Sequence, residues 1–263
     1  MIVKQIWTGN AYRNFNYLIA CPETGEAIAI DPLDHKKCLE QAKKHNWTIT
    51  KIINTHEHGD HIGGNGPVVE ATGAKIFAHF NAKDKIPNMA KGLLEGDIVT
   101  VGKSIELECL NTPGHTMSHV CLLSKTDQPA LFCGDTLFNA GAGNCHNGGH
   151  PSELYTTFTN QLLKLPDNTL VYPGHDYLEN NLEFTIDREP SNHKANTILK
   201  QTSGQNLNHP MVSTIGLEKE INTFFRLQNA TIINRLRKNF PELSKTPTEK
   251  EVFIKLRELR NNW

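Results

Sequence analysis

The chain has 263 residues, of which 38% are hydrophobic, with 27 Lys and Arg set against 28 Asp and Glu. The length allows one large domain or two unequal ones, with a sizeable core. A net charge of -1 and a mean hydropathy of -0.45 give no electrostatic case for nucleic-acid binding. No apolar run approaches a membrane span, so neither nucleic acid nor membrane is expected as a partner. The N-terminus lacks the apolar region of a signal peptide, and a cytoplasmic location is expected. Six cysteines are scattered at 21, 38, 109, 121, 133 and 145 without a CxxC pair, and read as free thiols. The 13 histidines are the compositional anomaly, and several sit beside glycine.

In chain order, residues 1–32 alternate short apolar segments with turns. Residues 16–20 and 27–30 read as strands joined by a hairpin turn through Pro22 and Gly25. Residues 35–45 carry Cys38, Leu39 and Ala42 at helical spacing. Residues 49–54 form a β-branched run that reads as a buried strand. A short helix is expected over 65–71 and a strand over 74–78. Two strands meet between 97 and 110 around Gly102 and Lys103, and residues 120–123 and 130–133 continue the sheet. Residues 152–165 predict a helix capped by Ser152, with Glu153 in its first turn. Residues 169–172 are the last clear strand. Beyond His175 the character changes: 180–187, 195–201, 217–225, 231–238 and 248–260 read as helices, with no strong strand. A boundary is therefore expected near 175, giving a sheet-rich part, 1–175, and a helical part, 176–263.

The chain is organised around the stretch 55–64, Thr-His-Glu-His-Gly-Asp-His-Ile-Gly-Gly, which follows the buried strand. His56, His58 and Asp60 are two apart and share one side only on extended backbone. The stretch therefore reads as a loop leaving a strand, with imidazole and carboxylate donors that suit Zn, Fe or Mn. Three later strands each run into glycine and then a metal-capable residue: Gly114-His115, Gly134-Asp135 and Gly174-His175. Glycine permits a sharp turn that exposes the next side chain, and donors gathered at strand ends over a rigid sheet make a defined site. Glu57 points away by alternation. His119 is expected to support a ligand or fill the core, His79 to be a polar core residue, and Cys133 to pack. The basic C-terminal stretch reads as a solvated helix face.

These motifs resemble the metallo-β-lactamase superfamily. Within it, residues 134–138 and 172–182, with 253–260 near the carboxyl end, resemble glyoxalase II, the hydroxyacylglutathione hydrolases. The resemblance covers nearly the whole chain. It implies an α/β fold: an αββα sandwich as the catalytic part, followed by a smaller all-α substrate-binding domain. It implies two divalent ions, zinc first and iron or manganese as alternatives. His56, His58 and His115 would hold one ion, Asp60, His61 and His175 the other, and Asp135 would bridge them. Two such ions against two carboxylates and a hydroxide leave an excess of about one positive charge, which can polarise a carbonyl. The implied reaction is hydrolysis of S-D-lactoylglutathione or a related 2-hydroxyacylglutathione by a bridging hydroxide, which Asp60 helps to orient. A thiol leaves readily as thiolate, which fits the absence of an obvious general acid.

The resemblance also implies a glutathione thioester as the small-molecule partner, and a monomer is expected. Tyr177 stands where the family places a glutathione-contacting Tyr. Arg257 and Arg260 match its basic pair, three apart on one helix face beside an apolar stripe of Val252, Leu256 and Leu259. The chain departs from the family at Asn144, where Lys or Arg is usual, and at His146, where an aromatic is usual, so an altered carrier pocket is expected. Three other readings compete: a mononuclear iron persulfide dioxygenase of the same fold, a thioesterase for another thiol carrier, and a non-catalytic metal-binding module. The long helical C-terminal part and the Arg pair favour the hydrolase.

Overall fold

A computed structural model describes residues 1–263. The first sheet opens with β1 (Ile2–Trp7), β2 (Phe15–Ala20) and β3 (Glu26–Ile30), which pair antiparallel. Helix α1 (His35–Lys44) crosses over to β4 (Thr48–Ile53), which lies parallel to β3. A single turn, α2 (Gly59–Ile62), and α3 (Asn65–Thr72) lead to β5 (Lys75–His79) and then β6 (Met89–Leu93), both parallel. Asp34 caps α1 by accepting from the Lys37 N–H, which satisfies one of the free donors at the helix start.

The second sheet begins with the antiparallel run β7 (Ile98–Val101), β8 (Ile105–Asn111), β9 (Val120–Ser124) and β10 (Ala130–Gly134). A small hairpin, β11 (Leu137–Phe138) with β12 (Gly141–Ala142), follows. Helix α4 (Pro151–Asn160) then crosses to β13 (Leu170–Pro173), parallel to β10. Every residue of β10 is buried, as a strand covered on both faces must be. The rest of the chain is α5 (Leu178–Arg188), α6 (His193–Thr202), the two-residue β14 (Ser213–Thr214), α7 (Ile215–Ile221), α8 (Ala230–Asn239) and α9 (Glu249–Arg260). No helix is long and apolar enough to cross a membrane.

Three apolar clusters define the layers. Tyr17, Ile19 and Ile28 meet Leu107, Cys109 and Phe132 between the two sheets. Cys38, Ala42 and Val68 from the helices cover the outer face of the first sheet at Ile49, Ile52 and Ile76. On the outer face of the second sheet, Leu131 and Val171 pack with Leu154 and Phe158 of α4 and with Val252, Phe253 and Leu256 of α9. The result is the expected αββα sandwich with a helical C-terminal part. Those C-terminal helices share a core with the second sheet.

Several local expectations are corrected. Residues 55–64 are not loop throughout, because Gly59–Ile62 closes one helical turn after His58, which is extended. Helix α4 starts at Pro151, capped by the His150 side chain accepting from the Ser152 N–H, so Ser152 lies inside the helix. It stops at Asn160, and a 3-10 turn at Leu162–Lys164 replaces its last turn. A strand does occur beyond 175: β14 pairs antiparallel with β13, but two residues are too few to show alternation. The edge strands β1 and β6 were also missed. Met89–Leu93 has a buried residue only at Leu93, so no apolar run marks it.

Candidate active site

The strand ends converge on one edge of the sandwich. His56 and His58 follow β4, His115 follows β8, Asp135 follows β10 and His175 follows β13. Two glycines make this possible for different reasons. Gly134 has φ +44, a left-handed conformation that turns the chain sharply before Asp135. Gly174 is a close approach: a Cβ there would sit 2.3 Å from Asp135 Oδ1.

Side-chain donors form two groups. His56 Nε2 and His115 Nε2 each lie 3.0 Å from His58 Nδ1. His61 Nε2 lies 3.2 Å from His175 Nε2, and both stand about 3.5 Å from Asp60 Oδ2, at 3.6 Å and 3.5 Å. Asp135 spans the two groups, with Oδ1 3.4 Å from His61 Nε2 and Oδ2 3.5 Å from His115 Nε2 and 3.1 Å from His175 Nε2. The structure thus brings together all seven metal-ligating residues read from the sequence. Trios able to share one ion include His56, His58 and His115, and also Asp60, His61 and His175.

Protons can be placed on the ring nitrogens from their outer partners. His115 Nδ1 faces Asn144 O at 2.7 Å, His175 Nδ1 faces Tyr12 O at 2.6 Å and His58 Nε2 faces Asn147 O at 3.0 Å. Carbonyls only accept, so these nitrogens carry the protons. His61 Nδ1 donates likewise to Asp31 Oδ2 at 2.9 Å. Thr55 Oγ1 donates to Asp31 Oδ2 and so accepts from His56 Nδ1 at 2.9 Å. In the neutral imidazoles this leaves five inner nitrogens presenting lone pairs, about 3 Å apart within each group. Burial pushes the pKa of His56 well below its ordinary value, whereas for His61 burial is outweighed by Asp135 and Asp31, which hold its pKa well above the ordinary one. Burial opposes charge on Asp135, but His175 and His61 hold its carboxyl well below the usual range. Asp135 Oδ1 is buried and accepts no hydrogen bond. Facing nitrogens and an orphaned carboxylate oxygen call for positive charge between them, and metal-bound imidazoles hold their outer N–H in this way. The donor set therefore fits divalent metal.

Two hollows flank the cluster. One, of about 330 Å³, is lined by Phe138, Asn144, His146, Tyr177, Arg257 and Arg260, so all five substrate-contact residues read from the sequence border one cavity. They are not equally free. Arg257 is buried, with Nη1 donating to Ala142 O at 2.6 Å and Gly143 O at 3.1 Å and Nε donating to Asn261 Oδ1. Burial brings its pKa down to about 10, so it stays charged at neutral pH. Arg260 is half-buried, 3.2 Å from Asn181 Oδ1 and over the rings of Phe184 and Trp263. Tyr177 stacks flat on His175, centroids 5.1 Å apart, and donates to Tyr12 O. The other hollow, about 720 Å³, opens past Tyr12, Leu33, Asp60 and Asn147.

The residues read as structural have visible partners. Glu57 pairs with Lys85 and accepts from Thr116. His119 is buried against Thr112, Thr136 and the Asp135 N–H. His79 bonds Asn111 and the Asn81 N–H, and Cys133 is buried in the core. Sequence reading missed the outer partners. Asp31 is the main one, and its only signal was its place at the end of β3. Tyr12, Asn144 and Asn147 contribute backbone carbonyls, which no residue type signals.

A two-sheet sandwich with side chains able to hold metal gathered at its strand ends is the scaffold of a metal-dependent hydrolase, and residues 16–175 match the metallo-beta-lactamase superfamily. Residues 176–263 match the profile of the hydroxyacylglutathione hydrolase C-terminus. A hydroxyacylglutathione hydrolase of Nitrosococcus oceani is 62% identical over 263 residues, 100% of both chains. One from Polaromonas sp. is 60% identical over the same span. The crystal structure of ETHE1 from Myxococcus xanthus superposes with a TM-score of 0.69 at 28% identity, covering 98% of this chain and 90% of that one. The chain belongs to the hydroxyacylglutathione hydrolase family of the metallo-β-lactamase superfamily.

Proposed function

We propose that this enzyme hydrolyses the thioester of 2-hydroxyacylglutathiones, S-D-lactoylglutathione among them, using two divalent ions, zinc first. The observation that carries this reading is the cluster of five inward-facing imidazole nitrogens and two carboxylates beside an arginine-lined cavity. His56, His58 and His115 would hold one ion and Asp60, His61 and His175 the other, with Asp135 available to both. When bound, such ions supply the Lewis acidity that activates water and polarises a carbonyl.

The chain's own groups do the rest. Asp60, whose side chain is 25% exposed, orients the attacking water. The thiol carrier lies in the cavity with Tyr177. Arg260, and Arg257 through the Nη2 its carbonyl bonds leave over, face the carrier's carboxylate. Asn144 and His146 line the same wall. The thiol, with an ordinary pKa of about 8.5, leaves as thiolate without a dedicated acid. Residues 1–175 act as the catalytic domain and 176–263 as the substrate-binding domain, which supplies Tyr177, Arg257 and Arg260. Both ligand sets and the cavity come from one chain, which supports a monomer. Six unpaired thiols support a reducing, cytoplasmic location.

The test is metal analysis of the purified protein alongside hydrolysis of S-D-lactoylglutathione in oxygen-18 water. Two ions per chain and solvent label in the product carboxylate are expected. One iron per chain with label taken from dissolved oxygen would instead establish the persulfide dioxygenase reading. Clear preference for a coenzyme A thioester would move the carrier assignment and leave the hydrolytic chemistry in place.

A further inference from the structure

The two ligand sets are supported from different places. The outer nitrogens of His56, His58 and His115 are held by Thr55, Asn147 and Asn144. The second set leans on the loop between β1 and β2. Tyr12 O takes the proton of His175 Nδ1, and Asn14 Nδ2 donates to Asp60 O at 3.2 Å and Oδ2 at 3.1 Å. Asn14 is buried, and it is the only side chain that donates to Asp60.

The orientation of the Asn14 amide follows from a relay. Its backbone N–H donates to Asn10 Oδ1 at 3.1 Å, so the other branch of the Asn10 amide is the NH2 group. That group donates to Asn14 Oδ1 at 2.7 Å, which leaves the Asn14 NH2 facing Asp60. Its two Asp60 acceptors are oxygens without protons, and the same Nδ2 lies 3.5 Å from His175 Nε2. The loop is pinned beside this relay. Arg13 has φ +61, a left-handed conformation that is uncommon for a residue with a side chain. Its Nε donates to Asp176 O at 2.8 Å, its guanidinium pairs with the Asp176 carboxylate, and its own carbonyl accepts from the Asp176 N–H at 2.9 Å. Phe15 N donates to Gly174 O at 2.8 Å, so the loop is bound on both sides of His175.

We propose that Asn14, oriented by Asn10 and held by the Arg13–Asp176 clamp, is a positioning residue that aims Asp60 at the second metal ion. The inference rests on the two-ion reading above. Outer partners of metal ligands are worth roughly 10- to 100-fold in metal affinity, and none of this loop's bonds reaches the first set.

Chelator titration with metal counted per chain tests it, together with the visible absorption of the cobalt-loaded protein. In Asn14→Ala, the second ion is expected to leave at a chelator concentration at least about tenfold lower than in wild type, while the first is retained as before. The cobalt bands of the second site should change, and kcat should fall with KM for the glutathione thioester nearly unchanged. Asn10→Ala, which leaves Asn14 in place but frees its amide, should shift the second ion in the same direction by a smaller factor and serves if Asn14→Ala does not fold. Release of both ions together, or an unchanged second ion in both variants, overturns the proposal while the two-ion reading stands. A wild-type chain that never exceeds one ion overturns both.

Discussion

Asp135 is the residue placed to serve both proposed ligand sets, because its Oδ2 lies near His115 of one set and His175 of the other while Oδ1 lies near His61. Asp135→Ala is expected to lower metal occupancy and turnover together, and full occupancy by elemental analysis would contradict the bridging role. Asn144 acts through two separate atoms. Its carbonyl holds His115 whatever the side chain, while the side chain borders the carrier cavity and accepts from the His146 N–H. Asn144→Lys therefore leaves the ligand support intact and adds a cation facing an anionic carrier. A charge-assisted hydrogen bond is worth about 1.5–3 kcal/mol, so KM for glutathione thioesters should fall roughly tenfold or more at similar kcat. An unchanged KM would make this loop difference functionally silent. At this scale all seven proposed ligands were legible, because imidazole and carboxylate side chains at strand ends announce themselves by type. Asn14 and Tyr12 were not, since one is an amide among many and the other acts through its backbone.

Among the helices, Glu189 ties three elements together just past α5. It accepts two bonds from Arg226, at 2.8 and 2.7 Å, and one each from Asn229 and Asn192 at the starts of α8 and α6. Burial opposes its charge, but the bonds from Arg226 and the two amides win and hold its pKa below the ordinary 4.5. Protons then bind the unfolded chain more readily than the folded one. The stabilisation is fully present above about pH 4.5 and is lost as pH falls through the depressed value. Glu189→Gln should be less stable than wild type in urea at pH 7, with the gap closing below pH ~4. A gap independent of pH would show that the charge contributes nothing. Helix α9 docks through Val252, Phe253 and Leu256, started by a capping box of Thr248 and Glu251. Phe253→Ala should cost about 3–5 kcal/mol and loosen the helix that carries Arg257 and Arg260. KM is expected to rise more than kcat falls, as steady-state kinetics would report. The helix was legible as a periodic stripe, whereas its contact with α4 joins residues about a hundred positions apart.

Across the whole molecule, the proposed ligands come from both sheets: His56 and His58 follow β4 of the first, while His115, Asp135 and His175 follow strands of the second. Metal bound by these residues would tie the two layers at their shared edge, and only in the folded state. Saturation to 100 times the dissociation constant adds about 2.7 kcal/mol per ion. Chelation should lower Tm, and metal titration should restore it in proportion to the logarithm of concentration. A Tm that ignores the chelator would mean that the ions do not bridge the layers.

By itself the sequence determined the layered α/β class, the ligand types and the helical character beyond 175. Alternation, helical spacing and side-chain chemistry are local properties, written into neighbouring residues. Only the tertiary structure decided which face each strand end presents, that five imidazoles turn a ring nitrogen inward, and that the loop before β2 supports Asp60 and His175. It also decided that Arg257 is half spent on the carbonyls of Ala142 and Gly143. These depend on hydrogen bonds between segments far apart in the chain, many through backbone carbonyls that every residue possesses, so no local pattern can encode them.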